Sequence, residues 1–97
     1  MKIAVTYENG QVFQHFGHTE QFKIYEAAEG KVVSARVVET GGSGHGALAG
    51  FLRGLGVDTL ICGGIGGGAR SALAEAGIQL YPGASGSADA QVEALLA

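Results

Sequence analysis

Three glycine-rich clusters constrain the fold more than any other feature of the chain. They are GGSGHG at 41–46, GGIGGG at 63–68 and GASG at 83–86, in a chain with 18 glycines among 97 residues. Each cluster stands between a strand-like run and a helix-like run. Glycine in such places allows a positive backbone φ and lets another segment or a ligand come close. Strands that alternate with helices predict right-handed parallel crossovers on one sheet.

Hydrophobic patterns predict five strands and three helices in the order β–β–β–α–β–α–β–α. The first three strands should form an antiparallel meander, because Glu29-Gly30 suits a hairpin turn. The predicted strands are 3–5, 22–27, 32–39, 59–62 and 78–81. The predicted helices are 45–55, 69–76 and a last helix capped by Ser87. We therefore expect an α/β fold with a five-stranded mixed sheet, in a single domain over residues 1–97.

The predicted strand directions bring the long loops to one edge of the sheet. Strand one should end near Tyr7 and strand three near Glu39, both at the same edge. Each helix returns the chain to the opposite edge, so strands four and five also end there. Loop 8–20 and the three glycine clusters should meet at this edge, with all three histidines and Cys62. In open α/β sheets, ligands bind outside the carboxyl ends of the strands, so this edge is the predicted site.

Two histidines, His15 and His18, lie three residues apart around Phe16-Gly17, and the third, His45, precedes a predicted helix. Two imidazoles at this spacing can contact one metal or donate hydrogen bonds to one anion. The alternative is that one histidine caps a backbone group and the other is solvated. We expect Phe16 to be a core residue beneath the loop.

The segment ICGGIGGGA at 61–69 joins a strand to a helix and contains a formal G-x-G-x-x-A match. A dinucleotide site fits poorly, because no acidic residue ends a following strand at the required distance. A P-loop is excluded, since G-K-[ST] is absent. Backbone N–H groups at a helix start favour an anion, although a tight turn also needs small residues. Cys62 is a less favoured ligand, because lone buried cysteines usually act as small hydrophobes.

Composition excludes several classes of protein. Charged residues make up 15% of the chain, the formal net charge is −3, and there is no basic run, so nucleic acid is not an expected partner. One cysteine excludes an internal disulfide and favours a reducing cytoplasm. No apolar run approaches the roughly 20 residues that span a bilayer, so no membrane contact is expected. No nucleophile–base pair or carboxylate pair indicates an enzyme.

Several stretches resemble the nitrogenase iron–molybdenum cofactor biosynthesis family, of the NifX and NifB C-terminal type. They are MKIAVTYENG, VFQHFGHTEQFKIYE, GHGALAGFL and ICGGIGGGA followed by LAEAGIQLYPGASG, and they cover nearly the whole chain. The resemblance implies a ribonuclease-H-like fold. It also implies a non-enzymatic carrier of an iron–sulfur or molybdenum–iron–sulfur cluster. Such a carrier would meet a cluster-assembly or acceptor protein, as a monomer or weak homodimer. Many relatives have Cys where this chain has Thr19.

The resemblance also implies a set of binding residues. His15 and His18 are the first metal ligands it suggests, followed by His45. The residues that would surround the cluster with them are Gly17, Gly64, Ile65, Gly66, Gly67 and Gly68. Two other functions stay open on the residues alone: an anion- or nucleotide-binding regulatory module at the same edge, and a protein-docking domain.

Overall fold

A computed structural model describes residues 1–41 and 45–97, apart from the side chains at 45 and 46. The strands are β1 Lys2–Glu8, β2 Gln11–Val12, β3 Gln21–Ala28, β4 Lys31–Glu39, β5 Thr59–Ile61 and β6 Gln79–Tyr81. The helices are α1 His45–Gly54, α2 Gly67–Glu75 and α3 Ala88–Leu96, with a short 3-10 helix at Phe16–His18.

The sheet has the mixed topology that the sequence predicts. Its strand order is β4-β3-β1-β5-β6. β1 pairs with β3 and β3 with β4 in antiparallel register, whereas β5 runs parallel to β1 and β6 parallel to β5. The α/β class, the meander and the parallel crossovers are therefore confirmed.

The predicted number of five strands is wrong, because the described residues already form a sheet of six strands. The additional strand is β2, which pairs with the end of β1 across a tight turn at Asn9 and Gly10. The turn has positive φ at both residues, as a type I′ hairpin turn requires. β2 contains two residues, of which only Val12 is buried, so it is too short to produce a hydrophobic period.

The sheet separates two hydrophobic clusters, because successive side chains of a strand point to opposite faces. Ala4 of β1 packs in the cluster that contains core residues of α1 and α2. Its neighbours Ile3 and Val5 pack in the cluster that contains core residues of α3. Within the described part of the chain, no helix combines the length and apolar character needed to cross a bilayer.

A polar contact fixes the first turn of α3 to the sheet. The Lys23 ammonium lies 2.8 Å from a carboxylate oxygen of Asp89, and the Tyr25 hydroxyl donates to the same oxygen at 2.5 Å. These hydrogen bonds, that of Lys23 first, hold the pKa of Asp89 below its usual value. Lys23 also lies 5.2 Å from the centroid of the Tyr25 ring, a cation–π distance.

Candidate functional site

Three of the predicted loops meet at the carboxyl ends of β1, β5 and β6. The Gly64 N–H donates to the Gln14 carbonyl at 2.7 Å, and the Phe16 N–H donates to the Gly64 carbonyl at 3.1 Å. The Gly83 N–H donates to the Gly63 carbonyl at 3.0 Å. Backbone hydrogen bonds thus connect the loop at 13–20, which carries His15 and His18 and which we call the histidine loop, with the glycine clusters at 63–68 and 83–86. Most of the first cluster, at 41–46, lies outside the described residues.

Core packing of Phe16 and a hydrogen bond of Thr19 hold the histidine loop in place. Phe16 is 1% exposed and packs against Phe22, with ring centroids 6.3 Å apart, so the prediction of a core residue is confirmed. The Thr19 hydroxyl donates to the carbonyl of His15 at 3.4 Å, and its side chain is buried. The loop therefore presents its two imidazoles on a base that core packing holds in place.

Both imidazoles of this loop are exposed, and their ring centroids lie 6.5 Å apart at an interplanar angle of 79°. They border a groove of about 460 Å³ between the 3-10 helix and the start of α2. The lining residues are His15, Phe16, Gly17, His18, Gly64, Ile65, Gly66, Gly68 and Ala69. Of the residues predicted to surround a ligand, Gly67 does not line the groove, and the His45 side chain lies outside the described residues.

The glycines at the two ends of the second glycine cluster differ in the space that is available for a side chain. A Cβ on Gly63 would lie 2.8 Å from the Gln14 Cα, and a Cβ on Gly64 would lie 2.9 Å from the Gln14 carbonyl oxygen. A Cβ on Gly66, Gly67 or Gly68 would meet no atom within 4 Å. Among the described glycines with positive φ, none falls within 63–68. Glycine at 63 and 64 is thus explained by loop packing, whereas glycine at 66–68 leaves open space beside the groove.

The start of α2 supplies backbone donors next to that open space. Gly66 is the N-cap residue and provides no side-chain hydrogen bond. The first backbone bond of this turn runs from the Arg70 N–H to the Gly66 carbonyl at 3.1 Å. The first N–H groups of an α-helix have no intrahelical partner and attract anions. Gly66 and Gly68 therefore border the groove where such N–H groups are concentrated.

Cys62 lies beneath the groove and does not line it. Its side chain is fully buried in the core cluster, and Sγ donates to the Gly63 carbonyl at 3.7 Å. Burial raises the pKa of the thiol to about 11, against a smaller opposing effect of the Arg70 charge. At neutral pH the thiol is protonated, whereas metals bind the thiolate. Within the described residues, no group of three or more His, Cys, Asp and Glu side chains is placed to hold a metal ion.

Gln14 has a structural role that the sequence analysis did not identify. Its side-chain amide donates to the carbonyls of Val12 and Ala84, both at 3.1 Å. Its backbone carbonyl accepts from Gly64. One residue thus connects the histidine loop to two glycine clusters. A glutamine in a polar loop carries no local signal for contacts so distant in sequence, so only the tertiary structure identifies it.

A comparison with known protein families tests the family resemblance that the motifs suggest. The profile of the family described as "Dinitrogenase iron-molybdenum cofactor" matches residues 1–97. The chain belongs to this family. The resemblance read from the histidine loop and the glycine cluster is therefore confirmed.

Individual relatives support the assignment over different lengths. The chain is 40% identical over 87 residues to the FeMo cofactor biosynthesis protein NifB of Sinorhizobium fredii, with 81% of this chain covered. The chain spans only 18% of the length of that NifB. It is 32% identical over 101 residues to the uncharacterized protein MJ0580 of Methanocaldococcus jannaschii, covering 99% of this chain and 86% of that protein. The apo form of the orange protein from Desulfovibrio gigas superposes with a TM-score of 0.86 at 29% identity, covering 98% and 86% of the two chains.

Proposed function

We propose that the protein is a non-enzymatic carrier that binds an iron–sulfur or molybdenum–iron–sulfur cluster and delivers it during cofactor assembly in the cytoplasm. The cluster is the cargo, and the groove between the histidine loop and α2 is its site. One observation carries the proposal: two exposed imidazoles face a helix start whose glycines no packing contact requires. In the same proposal we infer a ribonuclease-H-like classification of the fold, as the family resemblance implies.

The spacing of the imidazoles suits a cluster better than a single ion. Histidine binds metals such as zinc at about 2.0–2.1 Å, so two rings on one tetrahedral ion come closer together than the 6.5 Å between these centroids. In a larger cluster, two different metal atoms can each bind one of the rings. His15 and His18 would then bind one side of the cargo.

The opposite wall of the groove provides a different interaction. Sulfide-rich clusters are anionic, and hydrogen bonds to their sulfurs are part of how proteins hold and tune them. The N–H groups at the start of α2 are suited to donate such bonds. Gly66 and Gly68 place no side chain between the backbone and the cargo. The groove volume of about 460 Å³ is within the range of small-ligand sites, roughly 300–1,000 Å³.

The donor set also supports reversible binding. Among the described residues, the groove lining contains two imidazoles and no carboxylate or thiolate, which disfavours hard cations such as Mg²⁺ and Ca²⁺. The proposed imidazole ligands His15, His18 and His45, with hydrogen bonds from the helix start, leave part of a cluster uncoordinated by this chain. An acceptor protein can therefore bind the exposed side of the cargo before the carrier releases it. A cluster-assembly or acceptor protein is accordingly the proposed partner.

Anaerobic loading tests the proposal. The protein is incubated with iron and sulfide, with or without tetrathiomolybdate, separated by gel filtration and analysed for metal and sulfide. We expect stoichiometric uptake by the wild type and strongly reduced uptake by a His15→Ala/His18→Ala variant. A Glu75→Ala/Glu93→Ala variant, changed at two exposed helix positions, serves as the control and should load like the wild type. Equal uptake by the histidine variant and the wild type would contradict the proposed site.

The helix start beside the groove supports a second candidate function. Its N–H groups also suit a phosphate, so the protein could be an anion- or nucleotide-binding regulatory module. A thermal unfolding assay with a nucleotide panel distinguishes the two. A nucleotide at 100 times its Kd should stabilise the protein by about 2.7 kcal/mol. Stabilisation by a nucleotide together with absent cluster uptake would favour the regulatory module.

A further inference from the structure

The two edges of the sheet differ in how they are protected from pairing with another chain. Edge strands expose unpaired backbone groups, and proteins commonly block them with short strands or proline. The β6 edge has three residues and is followed directly by Pro82. The β4 edge has nine residues without proline, and no strand of the described residues pairs with its outer side. The β4 edge is therefore the one available for a partner strand.

β4 is also unusually apolar for a strand with so much exposure. Residues 31–37 are all exposed. Val33 is 66% exposed, Val37 45% and Val32 41%. Single exposed apolar residues are ordinary, but a group of them on one element indicates an interaction site. Three exposed valines on an unpaired strand are such a group.

The register of the β3–β4 pair shows which of these side chains share a face. Ala35 lies opposite Tyr25 and Val37 opposite Lys23, on the face of the sheet that α3 covers. The register shifts after Glu26, so Val32 lies opposite Ala27 on the same face, and Val33 has no direct partner on β3. Val32, Ala35 and Val37 therefore form one apolar row, which we call the β4 row.

We propose that a second copy of this chain pairs antiparallel with β4, around a two-fold axis that passes beside Ala35. In this arrangement each Ala35 lies opposite its own copy. Counting from Ala35 then sets Val37 of one chain opposite Val33 of the other, next to Val32 of the β4 row, so the exposed valines of both chains lie together on each side of the axis. The same patch serves both chains, as a two-fold interface requires.

Charge selects this orientation. Lys31 begins β4 and Glu39 ends it. An antiparallel pair brings the basic end of one strand beside the acidic end of the other, whereas a parallel pair would place like charges together. Opposite charges across a strand pair are favourable and like charges are not. At the two ends of β4, the orientation with two-fold symmetry is therefore also the one with complementary charge.

The proposed pairing ends at a dimer and leaves the groove accessible. Both β4 edges are used in the pair, and the blocked β6 edges offer no further template. The groove lies on the other side of β3, where β1 and β5 end. Each chain of the dimer therefore has its own groove, and the pairing does not depend on the proposed cargo.

Sedimentation velocity over a concentration series tests the pairing. We expect the wild type to change from the 9.8 kDa of one chain toward twice that mass as its concentration rises. Ala35→Lys places two ammonium groups opposite each other, so the dimer dissociation constant should rise roughly tenfold or more. Ala74→Lys, at an exposed position of α2, is the matched control and should dimerise like the wild type.

A charge-complementary pair keeps the test independent of folding. Ala35→Glu alone should weaken the dimer as Ala35→Lys does, and an equal mixture of the two variants should restore it. Circular dichroism verifies that both variants are folded. Three results would overturn the proposal: a wild type that stays monomeric at every concentration, an Ala35→Lys dimer as stable as that of the wild type, or a mixture that fails to associate.

Discussion

The glycine cluster at 63–68 has glycines on both sides of Ile65, and the two groups of glycines have different surroundings. Gly63 and Gly64 adjoin Gln14 so closely that a Cβ would lie within 3 Å of its backbone. Gly66, Gly67 and Gly68 border open space, where a Cβ would meet no atom within 4 Å. Gly63 and Gly64 therefore allow two loops to pack closely, whereas Gly66–Gly68 leave space beside the groove.

This difference assigns separate consequences to substitutions only a few residues apart. Changes in the first half should reduce the free energy of unfolding and affect binding only through the fold. Large side chains at Gly66 or Gly68 should not lower the free energy of unfolding and should reduce cluster binding directly. Variants at single positions separate these two effects.

Gly63→Ala should cause the largest loss of stability. Its Cβ would lie 2.8 Å from the Gln14 Cα, and relief of that contact requires the two loops to separate. Overpacking of this kind costs about 1–3 kcal/mol of unfolding free energy, measured by urea denaturation. Gly67→Ala is the matched control, because its Cβ meets open space. Equal unfolding free energies for the two variants would contradict the assigned role of Gly63.

Gly68→Leu should reduce cluster binding without loss of stability. Leucine is a much better helix former than glycine, and its side chain would enter the space beside the groove. We expect the cluster dissociation constant to rise roughly tenfold, equivalent to about 1.4 kcal/mol, while the urea midpoint is maintained. Gly50→Leu makes the same change at an open position of α1 and should bind cluster normally. Undiminished binding by Gly68→Leu would remove the argument for an open groove wall.

Asp89→Asn should destabilise the fold and leave cluster loading unchanged. It removes the ion pair with Lys23, an exposed pair that is worth about 0.2–1 kcal/mol and is screened by salt. The native pKa of Asp89 is lowered, so its contribution is present above the unfolded value of about 3.9. That contribution is lost as pH falls through the lower native pKa.

The measurement for Asp89 is urea denaturation at neutral pH and in acid. The difference in unfolding free energy between wild type and Asp89→Asn should be present at neutral pH and shrink as the native carboxylate becomes protonated. A difference that grows in acid would contradict the assigned ion pair. Reduced cluster loading by this variant would show that loading follows the stability of the fold, and effects on stability and on binding could then not be separated.

The Cys62 thiol should react slowly with iodoacetamide in the native protein. It is fully buried, and its pKa is raised to about 11, so little thiolate forms at neutral pH. Mass spectrometry of timed samples should show much faster alkylation in urea than in native buffer. Rapid native alkylation at neutral pH would instead indicate an accessible thiolate, which would make Cys62 a further candidate ligand beside the three histidines.

The sequence was sufficient for the strand directions because they depend on local patterns. Ile3 and Val5 are fully buried, as their strand-like run predicts, and Glu29-Gly30 forms the turn between β3 and β4. From these directions it followed that the long loops share an edge, which is confirmed for the histidine loop and the glycine clusters at 63–68 and 83–86. The ligand roles of His15, His18 and His45 stay predictions.

The features missed by the sequence depend on contacts between distant segments. β2 has only two residues and no period. The two roles within the cluster at 63–68 become distinct only once Gln14 is seen beside Gly63. The apolar residues of β4 suggest burial, whereas the strand lies at an edge of the sheet and is exposed. Each of these features depends on which distant segments pack together, and no local pattern in the sequence identifies them.

The most direct test of the central claim is nuclear magnetic resonance of the labelled protein during anaerobic titration with a diamagnetic cargo analogue, tetrathiomolybdate. We expect the amide signals of Gly66–68 and the imidazole signals of His15 and His18 to change together and to saturate at the same concentration of tetrathiomolybdate. The amide of Gly50, which borders open space on α1, should not change. Signal changes confined to other parts of the sheet, or to the histidines without the glycine amides, would contradict a groove with two functional walls.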